Sequence, residues 1–233
     1  MKKPLSMFRR CAALFLSLAL CFALSACGSK SDPQPGDSPS ATAAPVAQSG
    51  SALSLAHGVR AVLPEGWVVR SSLEEGAKTT AEIEQSLKSG KPVQLLLAHR
   101  VDATGQNATG MIALAMVDAT KTFIPQQDAA TLPPQEFAKY ASAVLERERQ
   151  LAAQSKTESS TTEYALERQT INGKLAVIHK ILGKRPGGVM RAYEMNMYLP
   201  NGRGLIARCM GFQEYPNNDA ELMNFIRSIS VNL

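Results

Sequence analysis

The stretch that decides the fold is YALERQTINGKLAVIHKILG, residues 164–183. Two runs of alternating apolar and polar residues flank the pair Asn172-Gly173. Both residues of this pair tolerate a positive φ angle, so the pair favours a tight turn between two antiparallel strands. We therefore predict a β-hairpin at this position.

Two more strand segments and a helix follow the hairpin. The segments at residues 189–200 and 203–214 alternate in the same way, and Pro186-Gly187-Gly188 and Asn201-Gly202 separate the segments from one another. The four segments together predict an antiparallel meander. Acidic residues after the last segment suit the start of a closing helix. Its buried stripe is predicted to be Leu222, Phe225, Ile226 and Ile229.

Upstream of the hairpin, the pattern predicts a mixture of strands and helices. Short apolar runs divided by turn residues predict three strands in residues 52–70 and two buried strands at residues 92–102 and 110–119. Apolar periodicity predicts a short helix at residues 78–90 and a long amphipathic helix at residues 131–155. The chain is therefore predicted to form one α+β domain.

The order of these elements resembles the PsbP-like superfamily, which includes DcrB-like bacterial lipoproteins. The resemblance rests on a strand pair ending in LPEGWVV (residues 63–69), the long central helix, the meander, and a closing helix ending in FIRSISV (residues 225–231). It implies an antiparallel sheet flanked by helices, an α/β/α sandwich, over residues 52–233. It also implies a scaffold that docks other proteins, usually without catalysis, and it transfers no functional residue. The segment at residues 119–134 is predicted to be an extra loop.

The first 26 residues predict a secretion signal. The first ten residues contain four basic residues and no acidic residue. The apolar run that follows, from Cys11 to Ala26, is shorter than the roughly 20 residues of a membrane-spanning helix. The motif LSAC, residues 24–27, resembles a bacterial lipobox. Cys27 is therefore predicted to carry acyl chains such as palmitate and to anchor the chain to a membrane. A secretory signal with an unlipidated cysteine is the alternative interpretation.

Residues 27–51 predict a lipidated cysteine followed by a disordered tether, because large apolar side chains are rare there. Gly28 rather than aspartate follows Cys27, which favours the outer membrane, facing the periplasm. Four of the 25 basic residues and none of the 20 acidic residues lie in the signal. The charge of the remaining chain is therefore close to zero, and no nucleic-acid partner is predicted.

The residues that could carry chemistry are scattered along the chain. His57, His99 and His179 lie in separate segments without the spacing of a metal motif, so no metal site is predicted. Cys209 alternates with apolar residues, which predicts a buried and inert thiol. The sequence shows no nucleophile elbow, P-loop or carboxylate pair. No enzymatic activity and no cofactor are predicted.

The methionines are the remaining candidate ligands. Met195, Met197 and Met210 could present thioethers to Cu(I). Met195 and Met197 share one face of a strand, and Tyr193 and Leu199 continue that face as an apolar stripe. This pattern favours a role in the core.

These observations favour a lipid-anchored cell-envelope protein that acts as a non-catalytic docking or assembly-accessory module for another envelope protein. The alternative is a lipoprotein that binds a small ligand or a metal ion. The candidate docking surface is the predicted loop at residues 119–134, where Phe123 and Ile124 stand among polar residues. The competing interpretation is that both side chains pack onto the domain.

Overall fold

A computed structural model describes residues 50–102, 104–105, 108–154, 160–185, 188–212 and 218–232. The strands in this part are β1 (Gly50–Leu55), β2 (Val59–Pro64), β3 (Trp67–Ser72), β4 (Val93–Val101), β5 (Ala108–Asp118), β6 (Ser160–Ile171), β7 (Lys174–Arg185), β8 (Gly188–Tyr198), β9 (Arg203–Phe212) and β10 (Ser230–Val231). The α-helices are α1 (Thr80–Lys88), α2 (Ala119–Thr122), α3 (Gln126–Thr131), α4 (Pro134–Gln154) and α5 (Asn218–Ser228).

Seven strands form one antiparallel sheet in the order β3-β4-β5-β9-β8-β7-β6. Strands β6 to β9 are neighbours in chain order, which confirms the predicted meander. Strand β9 also pairs with β5, from Gly110 opposite Gly211 to Asp118 opposite Arg203. This pairing joins the N-terminal and C-terminal halves of the chain into a single sheet.

Two Asn-Gly pairs make the turns that set the register of the meander. Asn172 and Gly173 have φ angles of 47° and 77°, and Asn201 and Gly202 have φ angles of 61° and 72°. Asparagine and glycine reach this left-handed region at little cost. Ile171 pairs directly with Lys174 across the first turn. A shift of one residue would move every apolar side chain to the opposite face of the sheet.

One face of the large sheet, called here the inner face, contains the main core. Helices α1 and α5 pack on it through Ile83, Leu87, Phe225 and Ile226, which are at most 4% exposed. The predicted buried stripe of the closing helix is therefore confirmed. Fully buried side chains of the sheet on this face include Ile112, Leu114, Met116, Ile178, Met195, Met197 and Leu205.

The opposite face, called here the outer face, is covered in part by α2, α3 and α4. Phe137 of α4 lies in one cluster with Val177 and Ile206 of the sheet, and Val144 of α4 lies in another with Tyr164. Helices thus lie against both faces of an antiparallel sheet. The predicted α+β class is confirmed.

A second sheet, with the strand order β1-β2-β10, was not predicted. It lies on the inner face of the large sheet, together with α1 and α5. Strand β10 pairs with β2 at Arg60 and Val59, and the Asn232 amide donates a 3.0 Å hydrogen bond to the carbonyl oxygen of Gly58. Strand β1 begins at Gly50, ahead of the predicted domain start at residue 52. The last described residues, 230–232, are thereby fastened to β2 and the turn before it.

Candidate functional site

The predicted docking loop is folded, and its apolar side chains are buried. Helices α2 and α3 occupy most of it, and Phe123 and Ile124 are only 7% and 8% exposed. The Phe123 ring packs edge to face on Tyr198, with ring centroids 5.2 Å apart. The Tyr198 hydroxyl donates a 2.8 Å hydrogen bond to the Ile124 carbonyl oxygen. The expectation of an exposed docking loop is wrong, because both side chains pack onto the domain.

The apolar side chains that the fold does expose lie instead on β3. Val68 and Val69 are 49% and 38% exposed, more than any other large hydrophobic side chain in the described part of the chain. Strand β3 is an edge of the large sheet, and within the described residues β4 is its only ladder partner. Its outer backbone groups therefore face away from the sheet. Edge strands of this kind are templates for pairing with another chain.

The β3 edge, defined here as residues 67–72, is exposed except at its first residue. Trp67 is 8% exposed, whereas residues 68–72 are all exposed. A register shift between Val69 and Ser71 bends the strand where Arg70 projects. Arg70 Nε lies 2.9 Å from His99 Nδ1, on the adjacent strand β4. The surface thus combines two exposed valines with one cation.

A buried polar cluster lies on the outer face of the large sheet. His179, Glu194 and Asn196 are 7%, 7% and 9% exposed. The Tyr164 hydroxyl is hydrogen-bonded to His179 Nδ1, and Asn196 Nδ2 lies 3.1 Å from His179 Nε2. Arg208 Nε donates a 2.8 Å hydrogen bond to Glu194 Oε2. Strands β6, β7, β8 and β9 each contribute to this cluster.

The hydrogen bonds of the polar cluster define the state of His179. With Asn196 Nδ2 as the donor, His179 Nε2 accepts, so the ring proton lies on Nδ1 and is donated to the Tyr164 oxygen. Burial lowers the pKa of His179, despite the opposing charge of Glu194. The imidazole is therefore neutral at neutral pH. Asn196 Oδ1 is buried without a hydrogen-bond partner among the described residues.

The polar cluster can stabilise the sheet, and it offers one unused acceptor, but it presents no exposed reactive group. Its carboxylate is paired with a guanidinium, and its histidine is buried and neutral. Glu194 and Asn196 alternate with Met195 and Met197, so the sequence does indicate a polar side of β8. That this side is buried is decided only by the tertiary structure.

The other candidate residues occupy separate environments. His57 lies near the ion pair of Arg203 and Glu84, and His99 lies near Arg70. Burial is the main reason that the pKa values of both histidines are lowered. No group of three or more His, Cys, Asp or Glu side chains within the described ranges is placed to hold a metal ion.

The structure confirms the predicted burial of Cys209 and separates the three methionines that were considered as copper ligands. Cys209 is fully buried, and burial raises the pKa of its thiol. Met195 and Met197 lie in the core of the inner face, as predicted. Met210 lies on the outer face, in a different cluster. The sheet therefore stands between Met210 and the other two thioethers, and the three cannot meet at one ion.

The predicted lipidation site, Cys27, lies outside the described residues. In the part of the chain that is described, no helix has both the length and the apolar character required to cross a membrane.

No protein-family model matches the chain, and no curated protein matches it in sequence. Among solved structures it is similar to cyanobacterial PsbP (CyanoP) from Synechocystis sp. PCC 6803, with a TM-score of 0.45, 12% identity, and coverage of 81% of this chain and 100% of that chain. It is also similar to PA94 of Pseudomonas aeruginosa, a protein of unknown function titled a putative regulator, with a TM-score of 0.36, 13% identity, and coverage of 78% of this chain and 99% of that chain. Likeness at this distance concerns the fold alone.

Proposed function

We propose that the chain is a lipid-anchored protein of the bacterial cell envelope that docks another envelope protein without catalysis. The observation that carries the proposal is the β3 edge, where Val68 and Val69 are exposed on a strand at the end of the sheet. The docking surface is therefore assigned to β3, and no longer to Phe123 and Ile124.

The β3 edge suits a partner that adds an extended strand to the sheet. In this mode, backbone hydrogen bonds supply affinity and alternate side chains supply specificity. Successive side chains of a strand point to opposite faces, so Val68 and Val69 would contact both sides of an added strand. Arg70 discourages indiscriminate pairing at the edge and favours a partner segment with an acidic side chain.

The N-terminal sequence supports the remainder of the proposal. A lipidated Cys27 would hold the chain at the membrane, and residues 28–49 would allow the domain to move above the surface. Such tethering raises the local concentration of the domain near membrane partners, so that a partner can occupy even a weak docking surface. The proposed location is the periplasmic face of the outer membrane, because Gly28 follows the cysteine.

A photo-crosslinking amino acid at position 68 tests the proposal in the native envelope. The matched control is position 163, where the exposed Glu163 lies on β6, the opposite edge of the sheet. We expect position 68 to give one crosslinked product of defined mass, and position 163 to give none. Val69→Arg should reduce that product without changing the melting temperature. Equal products from the two positions, or none from position 68, would contradict docking at β3.

A small polar ligand is a second candidate, because Asn196 Oδ1 is a buried acceptor without a partner. Native mass spectrometry of the intact protein released from mild detergent tests it. A small molecule retained by the wild type and lost from Asn196→Leu would support this function. Identical masses for the two proteins, apart from the substitution itself, would contradict it.

A further inference from the structure

Three methionines that lie far apart in the sequence meet on the outer face of the sheet. Met190 and Met210 are 6% and 1% exposed and form a buried cluster, and Met111 packs against it. Met111 of β5 is the direct cross-strand partner of Met210 of β9. Cβ atoms of such partners are about 4.5–5.5 Å apart, so the two flexible side chains can bring their sulfur atoms together.

A histidine extends the same row of side chains. His99 of β4 is the direct cross-strand partner of Met111, on the side away from Met210. His99 and Met111 are partly exposed, whereas Met190 and Met210 are buried. The row therefore runs from solvent at His99 into a buried cluster at Met210, whose other members are Met190, Ala192, Ile181 and Phe212. An ion could approach it from the side of β4.

We propose that Met111 and Met210, with His99, bind one Cu(I) ion; Met190 packs beside them without reaching it. Thioethers are soft ligands that select Cu(I), and imidazole also binds copper. The site goes beyond the proposed docking function and does not depend on it. It also differs from the set considered from the sequence, since Met195 and Met197 lie on the other face.

Arg70 is the group that opposes binding. Its Nε lies 2.9 Å from His99 Nδ1 and 3.0 Å from Nε2, so the guanidinium must move before His99 can give a nitrogen to the ion. The Arg70 side chain is on the exposed β3 edge, where moving it disturbs no core contact. Its positive charge also repels Cu(I).

Anaerobic titration of the full-length protein in detergent tests the site. Thiols are first alkylated with N-ethylmaleimide, and bathocuproine disulfonate competes for Cu(I). We expect the protein to withdraw one Cu(I) per chain from the chelator. Met111→Leu and Met210→Leu should each weaken binding by about tenfold or more. Met195→Leu and Met197→Leu are matched controls of the same volume on the inner face and should not change the affinity.

Two variants test His99 as the nitrogen ligand. His99→Gln should weaken Cu(I) binding, and Arg70→Gln should strengthen it, because the competing cation is removed. A gain of affinity in a variant with an unchanged melting temperature cannot result from unfolding and exposure of the buried Cys209 thiol. Unchanged affinity in both variants would contradict the assignment of His99 as a ligand.

A residue-resolved measurement on the wild-type protein keeps the proposal falsifiable even where a variant fails to fold. Methionine methyl groups labelled with ¹³C are followed by NMR as Cu(I), or Ag(I) as a soft substitute, is added. We expect the methyl signals of Met111 and Met210 to shift most, and those of Met195 and Met197 to stay. Absence of retained Cu(I), or shifts confined to other methionines, would show that the cluster is only apolar packing and would overturn the proposal.

Discussion

The indole Nε1 of Trp67 donates a 2.7 Å hydrogen bond to Oε1 of Glu221, which joins β3 to the first turn of α5. Arg100 Nη1 donates to the same oxygen at 2.6 Å. A Cβ atom at Gly110 would lie 2.7 Å from Cη2 of Trp67, so the ring packs closely over a position without a side chain. The PEGW turn is thereby tied to the closing helix.

Replacing Trp67 with Phe removes the indole donor and leaves a gap beside Gly110. We expect a loss of about 2–4 kcal/mol in the free energy of unfolding, from the lost hydrogen bond and the smaller ring. Urea unfolding followed by far-UV circular dichroism measures it. Val69→Ser, on the exposed β3 edge, is the control and should change stability by less than about 0.5 kcal/mol. Equal effects of the two variants would contradict the role of Trp67.

Phe225→Ala tests whether α5 closes the inner face. Phe225 is completely buried, so truncation should cost about 3–5 kcal/mol through lost burial and the cavity that remains. Arg227→Ala, at an exposed position of the same helix, serves as the control for helix propensity. Chemical denaturation of both variants gives the comparison. A neutral Phe225→Ala result would mean that α5 is not part of the core.

Phe123→Ser should lower the stability of the whole domain, because Phe123 is part of the core and not of an exposed surface. The ring contacts Tyr198 and lies where a Cβ at Gly204 would be 2.4 Å from Cε2 of Phe123. We expect the free energy of unfolding to fall by at least about 3 kcal/mol. Thermal melting compares it with Thr131→Ser, a conservative change at an exposed position of α3. An unchanged melting temperature would restore the docking interpretation of this segment.

The buried His179 predicts a pH dependence of stability. Its pKa in the folded state is below the ordinary value of 6.5, so the unfolded chain takes up a proton first as the pH falls. Stability should therefore decrease as the pH falls below about 6.5, by up to about 1.4 kcal/mol per pH unit until the folded state is also protonated. His57 and His99 contribute in the same direction. His179→Gln should reduce the slope, and an identical slope would contradict a buried neutral imidazole.

Cys27→Ala tests the proposed anchor. Without the thiol there is no site for acylation, so the variant should incorporate no labelled palmitate and should remain unprocessed or mislocalised. Metabolic labelling followed by membrane fractionation measures both effects. The control is Cys209→Ser, which lies in the described core and should leave labelling intact. Equal labelling of wild type and Cys27→Ala would remove the lipoprotein interpretation.

The local pattern of the sequence was sufficient to predict most helices and strands of the fold. The meander, the central helix and the buried stripe of α5 follow from periodicity and from Asn-Gly turns, because these signals act within a few residues. Burial of Cys209 follows from the same alternation. Even the polar side of β8, with Glu194 and Asn196, is visible in the sequence.

The tertiary structure decided which faces are covered and which distant residues meet. Phe123 and Ile124 look exposed among polar neighbours, yet Tyr198 buries them, because folding brings β8 beside this segment. Met111 joins Met210 only because β5 pairs with β9. Pairing strands about a hundred residues apart costs chain entropy, and burial over the whole sheet offsets that cost. A short window of sequence does not contain the residues that supply this burial. The sequence thus determined most of the elements and their periodicity, and it predicts an anchor, whereas long-range pairing determined the exposed edge and the methionine cluster.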